Sequence, residues 1–135
     1  MTIELKRDRS APLAQTVQIR EHTFMTDGSL AEGGSDAGPS PHDLYDAALA
    51  GCKAVTVMWY ARKKGIPVDE LHTVVERDDS QERAGVYRLT ARLQISGALT
   101  DAQLDELANV AAKCPVHKLM TSVTTEVVTK VERLP

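Results

Sequence analysis

Hydrophobic and polar positions along the chain change their period several times, and each change marks a predicted element. Apolar residues alternate with polar ones near residues 3–5 and again over residues 16–20, which predicts two short strands. The alternation slips by one position near Arg20 and Glu21, because the apolar and polar positions that follow have the opposite parity. We expect a bulge or bend at this point.

The middle of the chain carries the strongest helix signal. A loop rich in Gly, Ser, Asp and Pro covers residues 27–41, and Ser40 within it is suited to cap a helix. Residues 41–64 are apolar on nearly every side and carry basic residues at their end, as a helix dipole favours. Gly65 and Pro67 then favour termination. We therefore predict a long central helix over residues 41–64.

The second half of the chain returns to strands and then to helix. Residues 71–77 and 87–95 alternate in polarity and are joined by a polar turn, which predicts two strands. A capping box that begins at Thr100 opens a helix ending near Cys114, and the proline that follows begins a short further turn with Cys114 as its N-cap. Alternating valines and threonines over residues 123–131 predict a last strand.

Strands interrupted by two helices indicate an α+β fold, in which antiparallel sheets are expected. The 135 residues suffice for a single domain, residues 1–135, with its own core. A net charge of −3 argues against nucleic acid and against a membrane surface as partners. Asp46 and Lys53 interrupt the apolar stretch of residues 44–61, which favours a core helix over a membrane span. Since no signal-peptide pattern is present, we expect a cytoplasmic protein.

The two cysteines, Cys52 and Cys114, are the leading candidates for chemistry. Each falls on an apolar stripe of a predicted helix, so we expect both to face the core and to meet if the helices pack together. The stripe of the first helix contains Leu44, Ala48, Cys52, Val55 and Trp59. A dithiol that cycles with a disulfide is one interpretation. The alternatives are cysteines that only fill the core and a metal site formed by Cys52, Cys114 and His117. No nucleotide-binding loop or Ser-His-Asp elbow is present, and we expect no cofactor.

A reactive cysteine is a thiolate, which a helix N-terminus or a neighbouring cation stabilises. Cys52 lies in the middle of its predicted helix, where the dipole of that helix gives no help. The adjacent Lys53 is rotated by about 100° around the helix axis and is expected to point away. A cation then has to come from elsewhere in the fold. Arg20, at the suspected bend, is the leading candidate, and Arg9 and Arg7 are alternatives.

Two cysteine-containing segments stand out together: residues 38–52, which end in Ala50-Gly51-Cys52, and Cys114-Pro115-Val116-His117 after an alanine-rich helix. Together with the glycine pair at residues 33–34, they resemble the OsmC/Ohr family of organic hydroperoxide reductases. The resemblance runs from about residue 16 to the C-terminus. It implies an intertwined, obligate homodimer in which two curved antiparallel sheets wrap around a pair of long central helices. It also implies active sites at the subunit interface.

The same resemblance implies thiol-dependent reduction of organic hydroperoxides to alcohols. Cys52 matches the peroxidatic cysteine and Cys114 the resolving one, and an external dithiol would be the reductant. The aliphatic stripes predict an apolar pocket that favours organic hydroperoxides over hydrogen peroxide. The alternative is that the fold binds a small apolar ligand or a metal, with structural or ligating cysteines.

The chain departs from the family pattern at one position. In well-studied branches of the family, a glutamate that pairs with an arginine near the thiolate stands where this chain has His42. A neutral histidine does not pair with arginine as a carboxylate does. We therefore expect Asp43 or Glu21 to pair with the arginine in place of the glutamate. The chain therefore looks most like a less characterised, OsmC-like branch.

Overall fold

The structure, a computed structural model, describes every residue from Met1 to Pro135 and has an α+β architecture. Its strands are β1 (Ile3–Arg7), β2 (Gln15–Ile19), β3 (His22–Thr26), β4 (Glu70–Asp78) and β5 (Arg88–Ser96). Its α-helices are α1 (Pro41–Lys64), α2 (Asp101–Ala111) and α3 (Pro115–Thr121), and short 3-10 turns lie at Leu30–Glu32 and Glu82–Ala84. The predicted fold class is thus confirmed. None of the helices is both long enough and apolar enough to cross a membrane.

The chain divides into two compact units. The first consists of Met1–Ala48 and Arg77–Leu89, and the second consists of Leu49–Glu76 and Thr90–Pro135. In the first unit, β1, β2 and β3 form an antiparallel sheet in that order. In the second, the core is formed by Val57, Ala61, Ile66 and Leu107, which are packed against partly buried side chains of the same unit.

The chain does bend near Arg20, as one of the two expected alternatives has it, but the bend is a hairpin turn between two strands and not a bulge within one. Ile19 at the end of β2 pairs with His22 at the start of β3, and Arg20 and Glu21 form the two-residue turn between them. Arg20 has a φ of 53°, the left-handed conformation that two-residue hairpin turns require. The alternation slipped because one strand ended and an antiparallel neighbour began.

Helix α1 has the predicted bounds and the predicted cap. The backbone N–H of Ser40 donates to Asp43 Oδ2 at 2.9 Å, and the backbone N–H of Asp43 donates to Ser40 Oγ at 3.1 Å. These reciprocal bonds satisfy two amides at the start of the helix. At the other end, Gly65 takes a φ of 70°, which a residue with a side chain rarely adopts.

The buried face of α1 is different from the predicted one. Val55 is 69% exposed and Trp59 is 61% exposed, although both belong to the stripe expected to face the core. The buried positions are instead Asp46, Leu49, Lys53, Val57 and Ala61, which recur at helical spacing. Because α1 is apolar on nearly every side, its periodicity alone could not select the face that packs within the chain.

The end of the second unit confirms two predictions and overturns one. Thr100 and Gln103 form the predicted capping box of α2, and Pro115 occupies the first turn of α3 with Cys114 as N-cap. The predicted strand over residues 123–131 is absent, and this segment is irregular and exposed, with Val131 at 95%. A strand needs a neighbouring strand to bond its backbone, and the chain does not bring one to this segment.

Candidate functional site

The sulfur of Cys52 lies at the beginning of helix α3. The backbone N–H of Val116 donates to Cys52 Sγ at 3.4 Å, and Thr56 Oγ1 lies 4.0 Å from the same sulfur. Val116 is in the first turn of α3, where backbone N–H groups have no partner within the helix. Cys52 is partly exposed. One helix therefore presents the sulfur and another provides an amide donor for it.

Cys114 begins the helix to which the Cys52 sulfur is bonded. It is fully buried, and as N-cap of α3 it makes no side-chain capping bond. An N-cap side chain normally accepts from an amide of the first turn, and Cys52 takes such an amide here instead. Both cysteines are free thiols. The structure thus brings Cys52 to the first turn of the helix that Cys114 opens, while direct pairing of the two sulfurs stays a prediction.

Lys53 lies beside this site and does not point away, so that prediction was wrong. It is only 6% exposed. Its Nζ donates to the Ala111 carbonyl at 2.8 Å, at the end of α2, and lies 3.0 Å from His117 Nδ1 on α3. Sequence reasoning missed this contact because it considered only the rotation of Lys53 about the axis of α1 and not the reach of its side chain to α2 and α3. A long charged side chain on an otherwise apolar helix was the available signal.

The arrangement of His117 also bears on the metal alternative. Its Nδ1 is engaged by Lys53, a cation that is a poor neighbour for a metal ion. No group of three or more His, Cys, Asp or Glu side chains in the chain is arranged to hold a metal. A metal site made of Cys52, Cys114 and His117 is therefore not supported.

Arg20, the predicted cation for Cys52, is an exposed residue of the turn between β2 and β3. Its carbonyl accepts a bond from the side-chain amide of Gln18 at 3.2 Å, and its guanidinium takes part in none of the ion pairs of the structure. Arg7 and Arg9 are likewise exposed and form no ion pair. The role of Arg20 beside the thiolate stays a prediction.

A separate charged cluster lies in the first unit, around Arg77. Arg77 Nη2 donates to Asp43 Oδ1 at 2.6 Å, and Arg77 Nε donates to Asp46 Oδ2 at 2.5 Å. The hydroxyl of Tyr87 donates to the other oxygen of Asp46 at 2.7 Å. Asp43 therefore pairs with an arginine of β4, while its expected pairing with an arginine beside the thiolate stays a prediction. Glu21, the other expected substitute, is exposed and unpaired.

The protonation behaviour of this cluster follows from its bonds. The backbone N–H of Ser40 and then the Arg77 guanidinium hold the pKa of Asp43 below its usual range. The two carboxylates in turn raise the pKa of Arg77. Burial, followed by the bond to Asp46, raises the pKa of Tyr87 to about 12. Every charge in the cluster has a partner of opposite sign.

His42, which replaces the family glutamate, contacts a glutamate from another part of the first unit. Its Nε2 lies 2.6 Å from Glu82 Oε1, and its ring meets the edge of Tyr87. These side chains line an open cleft of about 400 Å³ together with Pro41 and Tyr45. No local pattern indicates this pairing, because forty positions separate the two residues.

The sequence model of the family described as OsmC-like protein matches residues 33–128, which is most of the chain. The chain belongs to the OsmC-like family. The predicted resemblance is confirmed on this finding. The matched range contains both cysteines and begins after Arg20. No curated protein sequence matches the chain significantly.

Solved structures of OsmC-like proteins have the same fold. A candidate osmotic stress induced and detoxification response protein from Psychrobacter arcticus is 20% identical, with a TM-score of 0.75 over 90% of this chain and 89% of that one. An OsmC-like protein from Mycoplasma pneumoniae is 18% identical, with a TM-score of 0.71 over 90% and 87%. The organic hydroperoxide resistance protein OsmC from Legionella pneumophila is 17% identical, with a TM-score of 0.65 over 90% and 88%. At these identities the likeness establishes the fold alone.

Proposed function

We propose that this OsmC-like protein is a cysteine-based peroxidase that reduces organic hydroperoxides to alcohols in the cytosol. The observation that carries the proposal is the bond from the Val116 N–H to Cys52 Sγ, which places one cysteine sulfur at the start of the helix opened by the other cysteine. The Legionella pneumophila structure, described as an organic hydroperoxide resistance protein, supports the choice of substrate class.

The proposed reaction uses the two thiols in sequence. The Cys52 thiolate attacks the distal oxygen of the hydroperoxide, an S–O bond forms, the O–O bond breaks, and the departing alkoxide takes a proton to give the alcohol. The sulfenic acid left on Cys52 is attacked by the Cys114 thiolate, which forms the disulfide and releases water after proton transfer. An external dithiol then reduces the disulfide by two thiol exchanges.

The test is peroxide consumption by purified protein with tert-butyl hydroperoxide and dithiothreitol. Cys52→Ser should lower consumption to the rate without protein, because no thiolate attacks the peroxide. With one equivalent of peroxide and no dithiothreitol, which would reduce a sulfenic acid directly, Cys114→Ser should form a sulfenic acid on Cys52 that mass spectrometry detects. Full turnover by Cys52→Ser and none by Cys114→Ser would reverse the two roles, and full turnover by both would exclude a thiol peroxidase.

Arg20 is the sequence-based candidate for a cation beside the thiolate. Arg20→Met should then slow oxidation of Cys52 and leave the later disulfide formation unchanged. Stopped-flow measurement of the two steps separates these effects.

We also propose that the working unit is an obligate homodimer. Val55 and Trp59 on α1 are large apolar side chains left in solvent, and in the C-terminal segment Val127 is 79% exposed and Val128 is 84% exposed. A single chain seldom leaves this much apolar surface uncovered. A second copy would cover the helix face and supply a neighbouring strand for residues 123–131.

Sedimentation velocity at micromolar concentration should give a dimer, and Val55→Glu, which places a charge on the exposed face, should weaken it. The matched control is Lys64→Glu, where a charged and exposed residue already stands on the opposite side of the same helix from Val55. A well-folded wild-type monomer at this concentration would exclude the obligate dimer.

A second candidate function is binding of a small apolar ligand, favoured by the cleft lined by His42, Tyr45 and Tyr87. In that case the two cysteines serve only to fill the core. Titration of thiols before and after one equivalent of tert-butyl hydroperoxide separates the two functions. Loss of both thiols with recovery in dithiothreitol indicates the peroxidase, and unchanged thiols indicate the binding protein.

A further inference from the structure

Lys53 is a buried cation without a carboxylate partner. Its ammonium is bonded to the Ala111 carbonyl and to His117 Nδ1, and it takes part in none of the ion pairs of the structure. An ammonium donates only to an imidazole nitrogen that carries no proton, and an imidazole that accepts in this way brings no negative charge to the contact. The positive charge of Lys53 is therefore not neutralised. Burying such a charge is costly, which makes it a candidate functional group.

The position of this charge follows from two neighbouring contacts. Cys52 and Lys53 are consecutive on α1, and they contact Val116 and His117, which are consecutive on α3. The same ammonium holds the Ala111 carbonyl at the end of α2. One side chain thus fastens α1 to both of the helices that flank Cys114.

We propose that Lys53 is a positioning residue for the thiol of Cys52. Its bonds hold the first turn of α3 so that the Val116 amide stays on the sulfur, and its unneutralised charge favours the thiolate over the thiol. The proposal rests on the proposed function in taking Cys52 as the reacting thiol.

The other titratable groups of this site do not cancel the charge. From α3 the ammonium meets His117, which brings no negative charge, and at the N-cap of α3 stands Cys114. The Glu106 carboxylate of α2 accepts from the Tyr60 hydroxyl at 2.5 Å and forms no ion pair.

The test is the rate at which iodoacetamide alkylates Cys52 in the full-length protein, followed by peptide mass spectrometry as a function of pH. Lys53→Met should slow alkylation about tenfold at pH 7, because less of the sulfur is then present as the reactive thiolate. The deficit should shrink as the pH rises, because both proteins then react through the same thiolate. A residue with only a structural role would not produce this dependence on pH.

Three further variants sharpen the measurement. Lys53→Gln keeps hydrogen-bond donors without the charge and should behave like Lys53→Met, whereas Lys53→Arg keeps the charge and should recover most of the rate. Lys63→Met is the matched control, because Lys63 is an exposed lysine of the same helix that lies over the ring of Trp59. It should leave the profile unchanged.

A folded Lys53→Met or Lys53→Gln protein with the wild-type profile would overturn the proposal. Loss of the fold in both neutral variants would also overturn it, because Lys53 would then be a structural anchor. Since alkylation uses no peroxide, the two proposals fail separately. A shifted alkylation profile without peroxide consumption contradicts only the peroxidase, and peroxide consumption with an unshifted profile contradicts only the role of Lys53.

Discussion

Two cationic side chains, each in a different unit of the chain, have opposite surroundings. In the first unit, the guanidinium of Arg77 faces the carboxylates of Asp43 and Asp46, and the Tyr87 hydroxyl completes the bonding of Asp46. In the second unit, the ammonium of Lys53 is more deeply buried and has only a carbonyl and an imidazole as acceptors.

The difference indicates what each group does. A cation matched by carboxylates stabilises the carboxylates in return, and removal of one member leaves a buried charge unpaired. A buried cation whose acceptors are neutral does not stabilise a carboxylate. Its charge can instead stabilise a neighbouring group that becomes negative. Arg77 therefore fits a structural role and Lys53 a role toward the thiol that precedes it.

The largest expected effect comes from breaking the compensated cluster. Arg77→Met leaves Asp46, which is 9% exposed, without its cation and should lower the free energy of unfolding by about 3 kcal/mol. Lys53→Met replaces a buried charge by an apolar side chain of similar length and should change it by less than about 1 kcal/mol. Urea denaturation at one fixed protein concentration measures both.

Arg77→Lys is the control for charge without the guanidinium fork and should recover only part of the loss. Equal losses in Arg77→Met and Lys53→Met would mean that the two cations serve the same structural purpose, which contradicts the comparison.

A smaller effect is expected from the hydroxyl of Tyr87. Tyr87→Phe removes its bond to Asp46 and should cost about 1 kcal/mol at neutral pH. The pKa of Tyr87 is raised from 10.0 to about 12, so its contribution is fully present below pH 10 and is lost as the pH rises through 12. The difference in stability between wild type and variant should therefore shrink over this interval.

Tyr45→Phe is the matched control, since Tyr45 lies in the same cleft and contacts the Tyr87 ring without a bond from its hydroxyl to Asp46. Unfolding curves of the wild type and both variants at pH 9 and pH 11 measure this difference in stability. A wild-type advantage over Tyr87→Phe that grows with pH would reverse the sign and exclude the bond as its source.

The smallest effect is expected from the pair of His42 and Glu82. Their side chains are 53% and 45% exposed, so His42→Ala should lower the free energy of unfolding by no more than about 0.5 kcal/mol, and added salt should reduce the effect. Glu82→Ala should cost a similar amount, and the double variant little more than either. A loss above about 1.5 kcal/mol would assign His42 to the structural cluster of its unit.

The local elements could be predicted well from the sequence. The bounds of α1, the cap by Ser40 and Asp43, the capping box at Thr100 and the N-cap at Cys114 all follow from residues within a few positions of each other. The family was also recognisable from two short segments around the two cysteines, and the family match over residues 33–128 contains both cysteines.

Three features were predicted wrongly or not at all, and two of them depended on contacts between distant segments. The alternation in residues 16–26 contained a hairpin, which a parity change alone cannot distinguish from a bulge. The alternation in residues 123–131 indicated a strand for which the chain holds no neighbour. The arginine that pairs with Asp43 lies on β4 and carries no local mark of that role.

For Lys53, one property follows from the local sequence and another follows only from the tertiary structure. Its place on a helix, next to Cys52, is a property of the local sequence, since helix signals act over three or four positions. The direction of the Lys53 side chain is not a property of the local sequence. Helix α1 is apolar on nearly every side, so the periodicity of the helix leaves several faces equally suited to the core. Only the packing of α2 and α3 against α1 selected the face that buries Lys53, since the Ala111 carbonyl and His117 are the acceptors that make burial of an ammonium tolerable.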